Sequence, residues 1–337
     1  MKSLCLAILL SAAVSAQTNL FLIEEHDKYG FIDAHGTVII KPTLENGEIF
    51  SEGYSKQVKH NWFDNDVSFL TADGVTAIHT TYEEAGRFSE GMARVRKFGF
   101  VARGKWGFID TSGKEIIATG YSEVGDFHDG RAWAIQRPFF LPSLTPDKFG
   151  YINQRGELVV PYAYDAVGDF SEGLAPVTVN GKRGFIDTTG KLAIALQYDY
   201  VGFFSGGVAR VKKDTLWGYI DTHGGMVIPY QFIDAREFSD NRALVRRDGG
   251  WELIDRTGKR VMAVGFENIL FYSERVAAFQ SNGRWGFIDT AGTVVITPQF
   301  TYVEPFRNGL AVAETDHERG YINSQGEFVW KRAIEVE

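Results

Sequence analysis

Trp106-Gly107-Phe108-Ile109-Asp110-Thr111-Ser112-Gly113 decides the fold, because versions of it recur nine times along the 337 residues. Aligned on Asp110, the equivalent residues are Asp33, Thr71, Asn153, Asp187, Asp221, Asp255, Asp289 and Asn323. A glycine follows each at the third position, as Gly36, Gly74, Gly113, Gly156, Gly190, Gly224, Gly258, Gly292 and Gly326. Ile or Leu stands one residue before, and Phe or Tyr two before except at Leu253. A second marker, Phe-Ser-Glu-Gly, begins at Phe50, Phe88 and Phe170, with looser copies at Phe127, Phe204, Phe238, Tyr272 and Phe306. The step from first to second marker is always 17 residues. The return is 17 in the later copies and 21, 22 and 26 after Phe50, Phe88 and Phe127. The chain is therefore a tandem array of 34-residue units, each with one half of constant length and one half that accepts insertions.

Outward from the marker, Trp106, Phe108 and Asp110 alternate with Gly107 and Ile109, the period-2 pattern of a strand with two different faces. Asp110 to Gly113 then supplies a hairpin turn, with Asp accepting backbone hydrogen bonds and Gly free to take positive φ. The same reading applies to Asp187 and Gly190, Asp221 and Gly224, and Asp289 and Gly292. A second strand follows, where Pro161, Pro229 or Pro298 removes a ladder donor and is expected to stop it. No segment sustains a 3.6-residue period, so the expected class is all-β with almost no helix. One unit is too small to bury both sheet faces, and stacked neighbours would do so through internal aromatic contacts.

At the N-terminus, Lys2 precedes the apolar run Leu4 to Leu10, and Val14-Ser15-Ala16 has the small-residue pattern of a signal-peptide cleavage site. The expected organisation is a signal peptide over 1–16 and a single array of about nine repeats over 17–337, exported to the periplasm, cell surface or medium. Cleavage would remove Cys5, the one cysteine, and with it disulfide or thiol chemistry. No later apolar run is long enough to span a membrane. A net charge of −8 without a basic run argues against nucleic acid as partner. A hydrophobic content of 44% with 14% aromatic residues suffices for a buried core.

Trp106-Gly107-Phe108-Ile109-Asp110, Trp217-Gly218-Tyr219-Ile220-Asp221 and Trp285-Gly286-Phe287-Ile288-Asp289, each followed by a Gly turn, resemble the WG (KWG) repeat of bacterial β-repeat proteins. The resemblance runs from about Tyr29 to the C-terminus. It implies export and action by binding, and it brings no catalytic residues. Trp is replaced by Tyr29, Val67, Phe149, Arg183 and Arg319 in other copies, so Trp itself is not a ligand signature. Two architectures close such an array. An open twisted superhelix of stacked hairpins is preferred, because it needs only neighbour contacts. The alternative is a closed propeller-like ring, in which the strand at Leu20 to Glu24 would complete the last unit.

The aspartates in register evoke a calcium ladder, but Asn and Thr substitutes and the needs of the turn favour capping, so no metal or other cofactor is expected. Glu52, Glu90 and Glu172 are read as solvated turn residues. The histidines show no metal-ligand spacing, and no nucleophile elbow, phosphate loop or zinc-protease motif is present. An enzyme is thus the least favoured class. The three insertions carry aromatic residues beside polar ones: Trp62 and Phe63, Phe98, Phe100 and Arg103, and Arg137, Phe139 and Phe140. Equivalent loops of stacked repeats lie side by side and commonly mark a binding face. Two readings of the insertions stay open: their rings fold down to cap the irregular end of the array, since terminal repeats are often atypical, or these eight residues are the candidate ligand contacts. The expected partner is a cell-envelope or extracellular glycan, with another extracytoplasmic protein as the alternative.

Overall fold

The computed structural model describes residues 19–60, 65–97, 104–137 and 146–334. Among them every regular element is a strand, arranged in nine antiparallel sheets that follow one another along the chain. Blade 5 shows the plan: a two-residue inner strand (Ala166–Val167), a second strand (Leu174–Val179), a third (Lys182–Asp187) and an outer one (Leu192–Tyr198). The third strand carries the Gly-Phe-Ile-Asp marker, and Phe170-Ser171-Glu172-Gly173 turns the inner strand into the second. Blades 3 to 9 have four strands; blades 1 (Phe21–Glu25, Lys28–Ile32, Val38–Leu44) and 2 (Tyr54–His60, Asn65–Thr71, Thr76–Thr80) have three.

The array closes on itself as a nine-bladed propeller, so the ring is adopted and the preferred open superhelix is not. Blade 9 meets blade 1 directly: the Phe21 and Tyr321 rings lie 5.4 Å apart, and the Tyr321 hydroxyl donates to the Leu22 carbonyl at 2.7 Å. Phe21, Ile23 and Ile32 share one apolar cluster with Leu310, Tyr321 and Trp330. The strand at Phe21–Glu25 begins blade 1 and does not complete blade 9, which has its own four strands.

Closure explains the core. Phe108 and Ile109 are both fully buried, because each sheet is sandwiched between two others. Phe108 packs on Val124 and Phe127 of the next blade, whereas Ile109 packs on Val67, Phe69 and Ile78 of the preceding one. The two faces of the marker strand thus differ in which neighbour they touch, not in burial. Marker rings meet in pairs across the interfaces, Phe31 with Phe50 at 4.8 Å, Phe185 with Phe204 at 4.8 Å and Phe287 with Phe306 at 4.9 Å. Their tilted and edge-on geometry is the favoured one for aromatic rings.

The prolines do not stop the outer strands as expected. Pro161, Pro229 and Pro298 lie inside Leu158–Tyr164, Met226–Phe232 and Val294–Phe300, each strand carrying a register shift. An outer edge needs no donor beyond the ladder, so proline is tolerated at a bulge there. The bulge also accounts for Gly107, where a Cβ would stand 2.4 Å from the Ile117 carbonyl oxygen.

Candidate ligand-binding site

Polar residues of the repeat turn out to hold the ring together. Asp110 Oδ1 accepts from the backbone N–H of Ser112 at 2.9 Å and of Lys114 at 3.0 Å. Asp187, Asp221 and Asp289 repeat this pattern, and Asn153 and Asn323 perform it with a neutral oxygen. Where Thr71 replaces Asp, the Asp73 carboxylate accepts from Val75 instead. The Ser112 hydroxyl and the turn N–H groups hold the Asp110 carboxyl below its ordinary range. Gly113 has φ +81°, and a Cβ there would lie 2.8 Å from Ile78 of the preceding blade, so conformation and packing both require glycine.

The glutamates of the second marker are not simply solvated. Glu52 accepts from the N–H groups of Glu90 and Gly91 in the next blade at 2.7 and 2.8 Å, and Glu274 from Gly309 at 2.9 Å. Ser51, Ser171 and Ser273 donate to the next blade's Phe88, Phe204 and Phe306 carbonyls at 2.6 to 2.8 Å. Such turn-to-turn bonds tie each sheet to the next at the inner strand. Gln154, in a third-to-outer turn, reaches Glu90 of an inner turn at 3.2 Å, so both turn classes occupy one face of the ring. Connections from second to third strand lie on the opposite face. All three insertions belong to that class, in blades 2, 3 and 4.

Of the candidate contacts, Trp62, Phe63, Phe98, Phe100, Arg103, Phe139 and Phe140 lie outside the described residues. Arg137 is described, and its guanidinium is engaged: Nη2 lies 2.6 Å from Asp147 and Nη1 2.7 Å from Glu123. Those carboxylates raise its already high pKa. Arg137 clamps the base of its loop and is not a free ligand contact. Lys97, at the base of the blade 3 loop, is likewise pinned to Glu115 at 2.9 Å.

Below these bases, on the inner edges of blades 2 to 4, lies a polar cavity of about 370 Å³ whose wall includes Glu48, Lys56, Arg87, Arg94, Trp106 and Asp126. Glu48 bridges Lys56 at 2.8 Å and Arg87 at 3.1 Å, which draws its carboxyl below the usual range against the effect of burial. Arg94 lies over the Trp106 ring at 5.4 Å and reaches the Val124 carbonyl at 3.0 Å. Its Nε stands 3.1 Å from Asp126 Oδ1, yet both atoms are buried and misaligned for a hydrogen bond with each other. Next along the ring, burial pushes the Asp169 carboxyl up, opposed by His128 at 3.8 Å. Sequence reasoning missed this cavity because its residues come from three units. A signal existed in the alignment: the third residue after each second-marker glycine is Lys56 or Arg94 here but Leu244 after Asn241, and the residue before the next marker ring is Arg87 or Asp126 here but Phe271 there.

Among the described residues no group of His, Cys, Asp or Glu side chains is arranged to hold a metal ion, and no helix is long and apolar enough to cross a membrane. The fold and its markers define a repeat propeller. A family model for WG-containing repeats matches residues 29–56, 72–99, 106–137, 149–182, 184–215, 217–251 and 285–316, more than half of the chain, which therefore belongs to this family. Among solved structures it is similar to a crystal structure described as the eukaryotic initiation factor, at 11% identity and TM-score 0.63, covering 95% of this chain and 96% of that one. It is also similar to apo AztD from Citrobacter koseri, at 12% identity and TM-score 0.42, covering 94% and 95%. The first likeness is one of fold alone, and no argument rests on the second. No curated protein matches by sequence.

Proposed function

We propose that this chain is an exported, non-catalytic binding module that recognises a cell-envelope or extracellular glycan on the face bearing the inserted loops of blades 2 to 4. The observation that carries the reading is coincidence of place. The insertions fall in adjacent blades, each between a second and a third strand, whose described ends lie on the face opposite the turns that bind blade to blade, and those same three blades line a polar cavity. That cavity balances Lys56, Arg87 and Arg94 against Glu48, Glu84 and Asp126. Fixed paired charges offer donors and acceptors to hydroxyl groups without favouring a strongly charged ligand, so a neutral glycan suits it. Aromatic side chains in the loops, Trp62, Phe139 and Phe140 above all, supply apolar faces for sugar rings.

Co-sedimentation of the protein lacking residues 1–16 with purified cell-wall sacculi and insoluble neutral polysaccharides tests this. Binding that disappears when Trp62, Phe139 and Phe140 become Ala, with circular dichroism unchanged, is the expected outcome. Failure of the parent protein to sediment with any of them removes the glycan and leaves a protein partner, sought by pull-down.

A further inference from the structure

One sheet edge in the ring is left open. In blades 3 to 9 the eighth residue after the second-marker ring, from Arg96 to Glu314, accepts at its carbonyl from an N–H of the inner segment at 2.8 to 3.0 Å. In blade 2 that residue is Val58, and the Asn46 amide serves both its N–H and its carbonyl. Glu24 holds this register in blade 1, opposite Tyr29 as Lys212 is opposite Trp217. By the alternation of an antiparallel ladder its N–H and C=O turn away from Lys28–Ile32, and among the described residues no strand pairs with them. Beside that edge, between blades 9, 1 and 2, lies a cavity of about 240 Å³ whose wall includes Leu22, Glu24, Ile49, Glu304, Val312 and Tyr321. Tyr321 marks what is missing. At the same position of blades 4 and 6, the Tyr151 and Tyr219 hydroxyls donate to the carbonyls of Gly168 and Arg236, just after the next blade's inner strand, at 2.8 and 2.7 Å. The N–H groups of Gly168 and Arg236 donate in turn to the Pro176 and Leu244 carbonyls. Leu22 is the register equivalent of Pro176 and Leu244, and Tyr321 donates to it directly. A residue entering here would give its N–H to Leu22 and receive the Tyr321 hydroxyl on its own carbonyl, so no hydrogen bond is lost.

We infer that the open edge of Phe21–Glu25 is a docking site for an extended segment of another polypeptide, which adds as the missing inner strand and carries a small apolar residue followed two places later by Lys or Arg. Backbone bonds to Glu24 and Leu22 give affinity, and the two side chains give selectivity, as in strand addition to other sheet edges. The apolar place is that of Val124, Val201 and Ala235, all buried in their own blades. The basic place follows from charge. Its equivalents face the preceding blade: a Cβ on Gly86 would lie 3.1 Å from Asp126, and one on Gly202 2.7 Å from Glu237. At the seam Glu304 stands where Gly86 and Gly202 stand in their blades. Arg332 and Arg319, also in the cavity wall, are taken by Glu24 at 3.4 Å and Glu314 at 2.8 Å, and among the described residues no cation is paired with Glu304. The chain's own register brings Ala12, Ala13 and Ser15 to these places, within the expected signal peptide and without a cation, while Glu335 and Glu337 near its other end carry the wrong charge. The basic strand therefore comes from a partner. This site is separate from the glycan reading and stands without it.

Fluorescence anisotropy of a labelled peptide copying residues 121–126 with Asp126→Lys, titrated with the full chain, tests this. One peptide is expected to bind per protein, about fivefold more tightly than the same peptide with Asp126 kept, the size of an exposed charge pair gained against a repulsion. Binding should also slow hydrogen exchange at the Glu24 amide. Glu24→Pro removes the edge N–H without touching the ladder to Lys28–Ile32 and should abolish binding, whereas Glu24→Gln keeps it. Glu304→Lys should reverse the preference between the two peptides, and it decides if thermal melts show that Glu24→Pro does not fold. Binding unchanged in Glu24→Pro, a preference that survives Glu304→Lys, or binding of neither peptide overturns the inference. A Glu24 amide that exchanges as slowly as that of Ile23 before any peptide is added overturns it as well, because the edge is then already filled.

Discussion

The interface between blades 5 and 6 and the one between blades 9 and 1 do the same work with different parts. In the first, Phe185 meets Phe204 at 4.8 Å, and the small Ala209 beside Phe204 leaves room for that ring. Gly202, just after the inner strand Tyr200–Val201, donates to the Arg210 carbonyl at 2.9 Å. At the seam no described residue supplies an inner strand or a marker ring to blade 1. Phe21 stands at the register of Ala209 and fills the space with its own ring against Tyr321, while the Tyr321 hydroxyl satisfies the Leu22 carbonyl that an inner strand would have bonded. Blade 2 is repaired in a third way. The Asn46 side-chain amide accepts from Val58 N–H at 2.9 Å and donates to its carbonyl, in place of inner-strand backbone. A ring of repeats therefore closes by single-residue substitutions where the unit is incomplete.

Substitutions on both sides of this comparison should rank in a definite order. Phe204→Ala, in the regular interface, should cost about 3 to 5 kcal/mol in urea unfolding, the scale for truncating a buried ring. A loss under about 1 kcal/mol would take that ring out of the core. Phe21→Ala should cost about 3 kcal/mol and speed hydrogen exchange in Phe21–Glu25 before the rest of the ring. Exchange unchanged there would mean that the seam does not depend on it. Asn46→Ala strands a donor and an acceptor on Val58, for about 1 to 3 kcal/mol, visible as a lower urea midpoint; a midpoint equal to the parent's would show that water replaces the amide. Tyr321→Phe strands one carbonyl, at about 1 kcal/mol, and no change in exchange at the seam would refute the hydroxyl's role.

The smallest effect is that of pH on the turns. Asp33, Asp110, Asp187 and Asp255 are all held below the ordinary aspartate range by hydrogen bonds from their own turns. A depressed carboxyl contributes stability that is present above the unfolded value, about 4, and lost as pH falls through the folded one. Melting temperature should therefore drop below about pH 4. In an Asp110→Asn variant the drop should be shallower, because Asn153 and Asn323 already cap turns without charge; an identical acid profile would exclude Asp110 from it. Asp169 has the opposite sign. Burial raises its pKa, so it opposes folding as pH rises through that value, and Asp169→Asn should leave neutral-pH stability equal or slightly higher.

Much of this was legible from residues alone. The turn role of Asp110 and Gly113, the inward ring of Phe204 and, among the described residues, the absence of helix follow from local pattern, and they are found as read. The outer-strand prolines were misread because an edge strand forgives what an inner strand does not. The second-marker glutamates are exposed turn residues as read, but their hydrogen bonds were not foreseen because the partners lie one blade away, in a turn that looks complete by itself. The cavity at Glu48, Lys56, Arg94 and Asp126 was missed because its only trace in the sequence is a change of residue type at fixed repeat positions, and those residues become a wall only beside their neighbours.

By itself the sequence determined the repeat, its strands and turns, and the position of its insertions, since these depend on contacts within about 34 residues, where period and turn chemistry act directly. Only the tertiary structure decided between ring and open superhelix. Closure depends on the small rotation between neighbouring blades accumulated over nine interfaces, and no local pattern encodes that sum. It shows in the contacts between Phe21, Leu22 and Tyr321, which lie about 300 residues apart in the chain and have no reason to meet until the last blade reaches the first.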